Sequence, residues 1–131
     1  MLPPLMVLVF EDEPLIAMEL EAQLQELGFA TTAPKSIGSA RLVIERVPLH
    51  FALLHYGSGV AVTYLAPILA AKQVRFAICS ADDQGTKVAQ AMGGPFIPKP
   101  FLPSDISAVV PPGPAMMETT GQGDLPWGAA P

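Results

Sequence analysis

Short apolar runs along this chain alternate with longer segments in which apolar residues recur every three or four positions. Short apolar runs that end in turn or acidic residues are typical of strands buried on both faces of a parallel sheet, and the longer period is typical of helices that bury one face. The predicted strands are residues 5–10, 29–32, 51–54, 75–79 and 96–98. Five alternations of strand and helix predict an α/β fold with a doubly wound, five-stranded parallel sheet.

The third predicted helix, residues 63–71 with Pro67 near its first turn, lacks the polar face of an ordinary surface helix. Two explanations remain open: burial beneath the tail or a neighbouring loop, or a protein–protein interface such as a homodimer. We favour the interface, because obligate contacts between chains are apolar in this manner. The residues expected to form it are Val62, Leu65, Ile68 and Leu69.

Composition divides the 131 residues into one domain and a tail. Residues 1–110 are expected to form the domain, whereas residues 111–131 are rich in proline and glycine, lack apolar periodicity and are predicted to be disordered. The start of the chain lacks the features of a secretory signal, and the longest segment without charges is interrupted by prolines, glycines and histidines. We therefore expect a soluble, cytoplasmic protein.

The charge balance limits the partners that the protein can have. A net charge of -5 disfavours binding to nucleic acids and to anionic membranes. The single cysteine, Cys79, excludes an internal disulfide and is expected to lie in the core.

Five chemically active residues fall where predicted strands end. Because the carboxyl ends of parallel strands meet at one edge of a sheet, these residues are expected to converge although they are far apart in sequence. They are Glu11, Asp12, His55, Ser80 and Lys99.

The segments around these positions, residues 7–16, 51–54, 76–80 and 98–101, together resemble the receiver domain of two-component response regulators. The resemblance covers roughly residues 5–110 and implies a flavodoxin-like sheet of strand order 2-1-3-4-5. It also implies an acidic pair that binds Mg²⁺, a hydroxyl and a lysine that contact a phosphoryl group, an aromatic switch residue and a proline after a cis peptide bond. The matching residues are Glu11 and Asp12, Ser80 and Lys99, Phe96, and Pro100.

The chain departs from this family at His55, which stands where the family has its phosphate-accepting aspartate. An acyl phosphate cannot form on an imidazole, and the lost oxygen ligand weakens any Mg²⁺ site. Three roles for His55 remain open: a structural residue bonded to Lys99 or Asp12, a phosphoryl acceptor in a relay, or a ligand with Glu11 and Asp12 for zinc, manganese or iron. We favour the structural role, because no second histidine completes a metal set; His50 is expected to be a surface residue at the opposite edge.

These observations predict a stand-alone, atypical receiver domain that is not an enzyme and requires no cofactor. We expect it to act as a protein-interaction module in two-component phosphorelay signalling. Its expected partner is a histidine kinase, a phosphotransfer protein or a second copy of itself.

Overall fold

A computed structural model describes residues 4–57, 60–80, 83–92, 95–99 and 101–112. Strands and helices alternate along the whole of this part of the chain. The strands are β1 (Met6–Phe10), β2 (Ala30–Thr32), β3 (Phe51–His55), β4 (Phe76–Ser80) and β5 (Phe96–Pro98). The helices are α1 (Pro14–Glu26), α2 (Ile37–Arg46), α3 (Val60–Ala71), α4 (Asp83–Met92) and α5 (Pro103–Val109).

The five strands form one sheet in the order β2-β1-β3-β4-β5, and every neighbouring pair is parallel. This arrangement confirms the predicted fold class and strand order. The register pairs His55 with Cys79 and Ser80 with Pro98, so the last residues of β3, β4 and β5 lie at the same edge of the sheet.

Helices cover both faces of the sheet, which explains why the strands are apolar throughout. Because successive side chains of a strand point to opposite faces, Val7 and Val9 lie in a first core with α1 and α5, whereas Leu8 lies in a second core with α2, α3 and α4. Both sets of strand residues are therefore removed from water, as the continuous apolar runs predict.

Local sequence signals set the ends of the helices that flank the site. Pro14 occupies the first turn of α1. Backbone N–H groups have no partner within the helix at this position, so the missing N–H of proline costs no hydrogen bond. Gly28 follows the helix with φ of +95°, a conformation that glycine adopts without the steric cost of a Cβ atom. At α2, Ser36 and Ser39 cap each other's backbone N–H groups at 3.0 and 3.2 Å.

The structure corrects the predicted interface on α3. Val62, Leu65 and Leu69 are fully buried in the second core, and Ile68 is half-buried against it. The expectation that they contact a partner is wrong for the three buried residues, because they are the side chains with which α3 contacts the sheet.

The position of Pro67 within α3 also differs from the prediction. The helix begins at Val60, so Pro67 lies in its interior rather than near its first turn. Proline cannot donate a hydrogen bond to the carbonyl of Thr63. Pro67 lies on the exposed side of the helix, where water can reach that carbonyl instead.

Most of the predicted tail, residues 113–131, lies outside the described residues. Among the residues that the structure describes, no helix has the length and apolar character needed to cross a membrane.

Candidate functional site

The structure brings the predicted site residues together at the carboxyl edge of the sheet. Glu11 and Asp12 follow β1, His55 and Ser80 end β3 and β4, and Lys99 follows β5. Lys99 Nζ lies 2.6 Å from Glu11 Oε1 and 2.6 Å from His55 Nδ1. On the other side of the imidazole ring, His55 Nε2 lies 3.1 Å from Asp12 Oδ1.

The backbone of β4 helps to hold Lys99 in this cluster. The carbonyl of Ser80 accepts a hydrogen bond from the backbone N–H of Lys99 at 3.0 Å. Ser80 itself is buried at the end of β4. The parallel pairing of β4 with β5 therefore continues to Lys99, one residue past β5, and fixes the position of the Lys99 backbone.

Lys99 and Glu11 form a buried ion pair. The Glu11 side chain is 1% exposed and the Lys99 side chain 11% exposed, so each charge depends on the other for its stabilisation. The second carboxylate oxygen of Glu11 accepts a hydrogen bond from the backbone N–H of Glu13 at 3.1 Å. Both oxygens of Glu11 are thus engaged within the protein.

The contacts of His55 define its tautomer. The ammonium group of Lys99 can only donate, so His55 Nδ1 must accept and cannot carry a proton. In a neutral imidazole the proton then lies on Nε2, which is 3.1 Å from Asp12 Oδ1. Glu11 Oε1 is 3.4 Å from His55 Nδ1 and therefore lies farther from that nitrogen than Lys99 does. We accordingly read His55 as the neutral link of a chain from Lys99 to Asp12, rather than as a cation paired with two acids.

Gly57 leaves the space in which the His55 ring reaches Asp12. A Cβ atom at position 57 would lie 3.0 Å from His55 Nε2 and 3.4 Å from Cδ2. Contacts at this distance force one of the groups to move. The absence of a side chain at position 57 is therefore part of the geometry of the site.

The Gly57→Ala variant is expected to push the His55 ring away from Asp12 and to lower the free energy of unfolding by about 1 kcal/mol, because the added methyl group crowds the ring. Gly38→Ala in α2 is the matched control, because its Cβ would have no neighbour closer than 4.0 Å. That variant should gain roughly 0.5–1 kcal/mol from the better helix propensity of alanine. Urea unfolding measures both effects, and equal changes in the two variants would contradict the positioning role of Gly57.

Comparison with known proteins identifies the fold. No family model and no curated protein sequence matches the chain. Among solved structures, SdrG from Sphingomonas melonis Fr1 is 26% identical, with a TM-score of 0.69 over 83% of this chain and 95% of SdrG. A response regulator receiver protein from Pseudomonas putida is 18% identical, with a TM-score of 0.71 over 84% of this chain and 98% of that protein.

The receiver domain of Ssk1 from Saccharomyces cerevisiae, solved with the histidine phosphotransfer protein Ypd1, is also similar. It is 15% identical, with a TM-score of 0.66 over 84% of this chain and 88% of the matched chain. The chain has the fold of a receiver domain.

The receiver fold implies a Mg²⁺ site at Glu11 and Asp12, and the residues present do not fit this ion. Mg²⁺ needs a near-octahedral set of oxygen ligands. Here Lys99 and the backbone of Glu13 occupy the two oxygens of Glu11, and position 55 offers nitrogen in place of a carboxylate. The ammonium of Lys99 already supplies a positive charge to this part of the pocket.

A softer metal ion finds a more suitable set of atoms in the receiver pocket. Glu11, Asp12 and His55 each offer one ligand atom, and these atoms lie within 4.8 Å of one another. Imidazole and carboxylate together suit zinc and manganese better than magnesium. An ion that used Glu11 and His55 Nδ1 would first have to displace Lys99 from both.

Two further residues that the family resemblance singles out lie beside this pocket in sequence. Phe96 begins β5 and is half-buried against the second core, so it packs as a core aromatic. Its role as a switch residue remains a prediction. Pro100 and the predicted cis peptide bond lie outside the described residues.

Sequence reasoning missed an exposed apolar surface beside the pocket. Leu15 and Met18 of α1 and Leu102, which precedes α5, are all exposed. Leu15 and Met18 lie outside the buried stripe of α1 (Ala17, Leu20 and Leu24), so a helical projection could have revealed them. We call Leu15, Met18 and Leu102 the rim surface.

Cys79 lies beneath the site in β4 and is expected to be chemically inert. Burial raises the pKa of its thiol to about 12 from an ordinary value of 9.0. At pH 8 the folded protein therefore holds about a thousandfold less thiolate than the unfolded chain, and thiolate is the reactive species. A thiol-specific disulfide reagent should label Cys79 only when urea unfolds the protein; rapid labelling of the native protein would contradict its burial.

The same pKa shift has a consequence for stability at high pH. The folded state favours the neutral thiol of Cys79. The contribution of this thiol to the free energy of unfolding is therefore fully present below about pH 9 and is lost as the pH rises towards about 12.

Proposed function

We propose that the chain works as a receiver-type protein-interaction module in two-component phosphorelay signalling, and that its interactions do not depend on phosphorylation of position 55. The observation that carries this proposal is the chain of close contacts from Lys99 through His55 to Asp12. Its charged and polar groups satisfy one another without a phosphoryl group or a metal ion. The similarity of the fold to receiver domains supports the signalling role.

Position 55 offers no nucleophile to a phosphoryl donor. An imidazole cannot form the acyl phosphate that an aspartate forms. The one nitrogen lone pair of neutral His55 lies on Nδ1, and the ammonium of Lys99 engages it at 2.6 Å. His55 is therefore a structural residue in this proposal.

The pocket is also held in a single arrangement. Moving Lys99 out of it would leave the buried carboxylate of Glu11 without its partner, and an unpaired buried charge costs several kcal/mol. An alternative state at that cost has a population on the order of 1% or less. The protein therefore presents one constant surface to its partners.

The rim surface is the part of the molecule that we assign to a histidine kinase or phosphotransfer partner. Leu15 and Leu102 lie near the amino ends of α1 and α5, two helices that contact each other on the same face of the sheet. Exposed apolar side chains grouped in this way are typical of binding sites. The similar receiver domain of Ssk1 was solved with a phosphotransfer protein, which supports a partner of this class.

Binding to a panel of recombinant phosphotransfer proteins and kinase dimerisation domains tests the proposal. We expect a partner to bind equally with and without acetyl phosphate, and Leu15→Glu or Met18→Glu to weaken binding at least about tenfold. Leu42→Glu is the control, since Leu42 is an exposed leucine on α2, which covers the opposite face of the sheet. Failure to bind any member of the panel, or binding only with a phosphoryl donor, would argue against the proposal.

A metal-dependent role is the second candidate, because the ligand atoms of Glu11, Asp12 and His55 lie within 4.8 Å of one another. Calorimetry with zinc and manganese distinguishes it from the first. We expect no binding below roughly millimolar concentration, since the ion must displace Lys99. Tight binding that His55→Ala abolishes would establish the metal role instead.

Two further expectations belong to the proposal. The protein acts in the cytoplasm without catalytic activity of its own. Its third possible partner, a second copy of the chain, is tested by the dependence of molecular mass on protein concentration.

A further inference from the structure

The outward side of α3 is an exposed surface without charge. It consists of Val60, Thr63, Tyr64, Pro67, Ala70 and Ala71, which we call the α3 outer face. A surface helix of a soluble domain normally carries charged residues on this side. The inward residues of the same helix fill the second core, so the apolar character of the outer face is not explained by packing within the described residues.

Tyr64 is held in place on this face by Arg41 of α2. Arg41 Nη1 donates a hydrogen bond to the Tyr64 hydroxyl, and its guanidinium carbon lies 5.8 Å from the centre of the Tyr64 ring. Arg41 Nε is in turn fixed by Glu45 Oε2 at 2.8 Å. A tyrosine ordered in advance loses little conformational freedom on contact, and tyrosine and arginine dominate binding energies in many interfaces.

Basic residues border the α3 outer face. The pKa of Glu45, near the end of α2, lies below its ordinary value. Its causes are the hydrogen bond from Arg41 and the positive charges of Arg41, Lys72 and Arg46, so these cations lie around the end of α2. The opposite side of the molecule has the opposite charge. Helix α1 and the turn before it carry only acids, namely Glu11, Asp12, Glu13, Glu19, Glu21 and Glu26.

The described chain ends within reach of the α3 outer face. Pro111 lies at the amino edge of the sheet, where its carbonyl oxygen is hydrogen-bonded to Nε2 of His50, the residue before β3. His50 stacks on Phe29 with ring centres 5.4 Å apart. Helix α3 also ends at this edge, because it connects the carboxyl end of β3 to the amino end of β4.

The residues that follow have a composition that matches this surface. Residues 113–131 contain Glu118 and Asp124 but no lysine or arginine, and their large apolar residues are Met116, Met117, Leu125 and Trp127. The 15 residues that follow Pro112, up to and including Trp127, can span about 50 Å when extended. Helix α3 has 12 residues and is about 18 Å long, so the segment can reach any point on it.

We propose that residues 113–131 dock on the α3 outer face of their own chain, with apolar side chains on Val60 and Tyr64 and the acids towards the basic border. The rim surface is the other exposed apolar surface in the described residues. The acids of α1 repel an acidic segment from it, whereas Arg46 and Lys72 attract the segment to α3; the charge of Arg41 is matched by Glu45. Charge therefore selects one of the two apolar surfaces.

Trp127 is the only tryptophan of the chain and reports directly on this contact. In the full chain at low salt, its fluorescence is expected to be shifted to the blue of the urea-unfolded protein and to be protected from iodide quenching. Val60→Glu should abolish both effects. Leu15→Glu, at a residue that is 74% exposed against 61% for Val60, is the matched control and should leave both unchanged.

The remaining outcomes of this experiment would overturn the proposal. Native fluorescence identical to that of the unfolded chain would show that Trp127 does not dock. Loss of the blue shift in Leu15→Glu but not in Val60→Glu would place the segment on the rim surface. A blue shift that grows with protein concentration would show docking on a second copy. Urea unfolding of each variant confirms that the domain itself remains folded.

Discussion

The His55→Asp variant is expected to become phosphorylated by acetyl phosphate in the presence of Mg²⁺, whereas the wild-type protein stays unlabelled. The substitution places a carboxylate next to Asp12 and Lys99, so the metal ion can use oxygens at positions 12 and 55 while Glu11 keeps its bonds to Lys99 and Glu13. Ser80 and Lys99 already lie at the carboxyl edge of the sheet, where the resemblance to receiver domains predicts their contacts with a phosphoryl group. The label should be stoichiometric and lost in base, as an acyl phosphate is.

The control for this experiment is His55→Asn, which has nearly the size and shape of the aspartate variant but no nucleophilic oxygen. We expect it to remain unlabelled under the same conditions. Mass spectrometry of the intact proteins measures all three. An acyl phosphate on any Asp or Glu of the wild-type chain would contradict the proposed loss of phosphorylation.

The Lys99→Met variant is expected to lose about 3–5 kcal/mol of unfolding free energy, the largest effect on stability that the structure predicts. Methionine keeps the length of the side chain but removes the charge, so the carboxylate of Glu11, 1% exposed, is left buried and unpaired. His55 Nδ1 loses its donor at the same time. Urea unfolding at neutral pH measures the change.

The exposed ion pair on α2 provides the control for Lys99→Met. Arg41 and Glu45 approach to 2.8 Å, but their side chains are 49% and 39% exposed, so Arg41→Met should cost far less stability than Lys99→Met. Adding Glu11→Gln to Lys99→Met should recover roughly 2 kcal/mol, because it removes the stranded charge. If Lys99→Met lowers the free energy of unfolding no more than Arg41→Met does, the Lys99–Glu11 pair is not buried in solution.

The fold and the location of the site were predictable because each rests on a short-range pattern. Each strand reads as an apolar run, and each site residue directly follows or ends such a run. Once the strands are parallel, their carboxyl ends must meet, so Glu11 and His55 converge although 44 positions separate them. The convergence required no knowledge of side-chain packing.

The role of α3 was harder to predict because it depends on which way each side chain of the helix points. The predicted interface included Val62 and Leu65, which are apolar but point into the second core. A count of apolar residues cannot separate the inward side from the outward side when both lack charge. The projection of the helix does separate them, and it leaves Val60 and Tyr64 facing outwards.

Contacts between distant loops gave no signal in the sequence at all. His50 was expected to be a surface residue, yet it is half-buried and contacts Phe29 and Pro111. The space that Gly57 leaves for the His55 ring is likewise visible only in three dimensions, although Gly57 is two residues away. Such details depend on the final packing rather than on any local pattern.

The tautomer of His55 tests the central claim most directly. Nitrogen-15 NMR of the histidine rings at neutral pH distinguishes a protonated from an unprotonated ring nitrogen, and only His50 and His55 contribute signals. We predict that Nδ1 of His55 is unprotonated and that Nε2 carries the proton, as the contacts with Lys99 and Asp12 require. A doubly protonated ring, or a proton on Nδ1, would contradict the account.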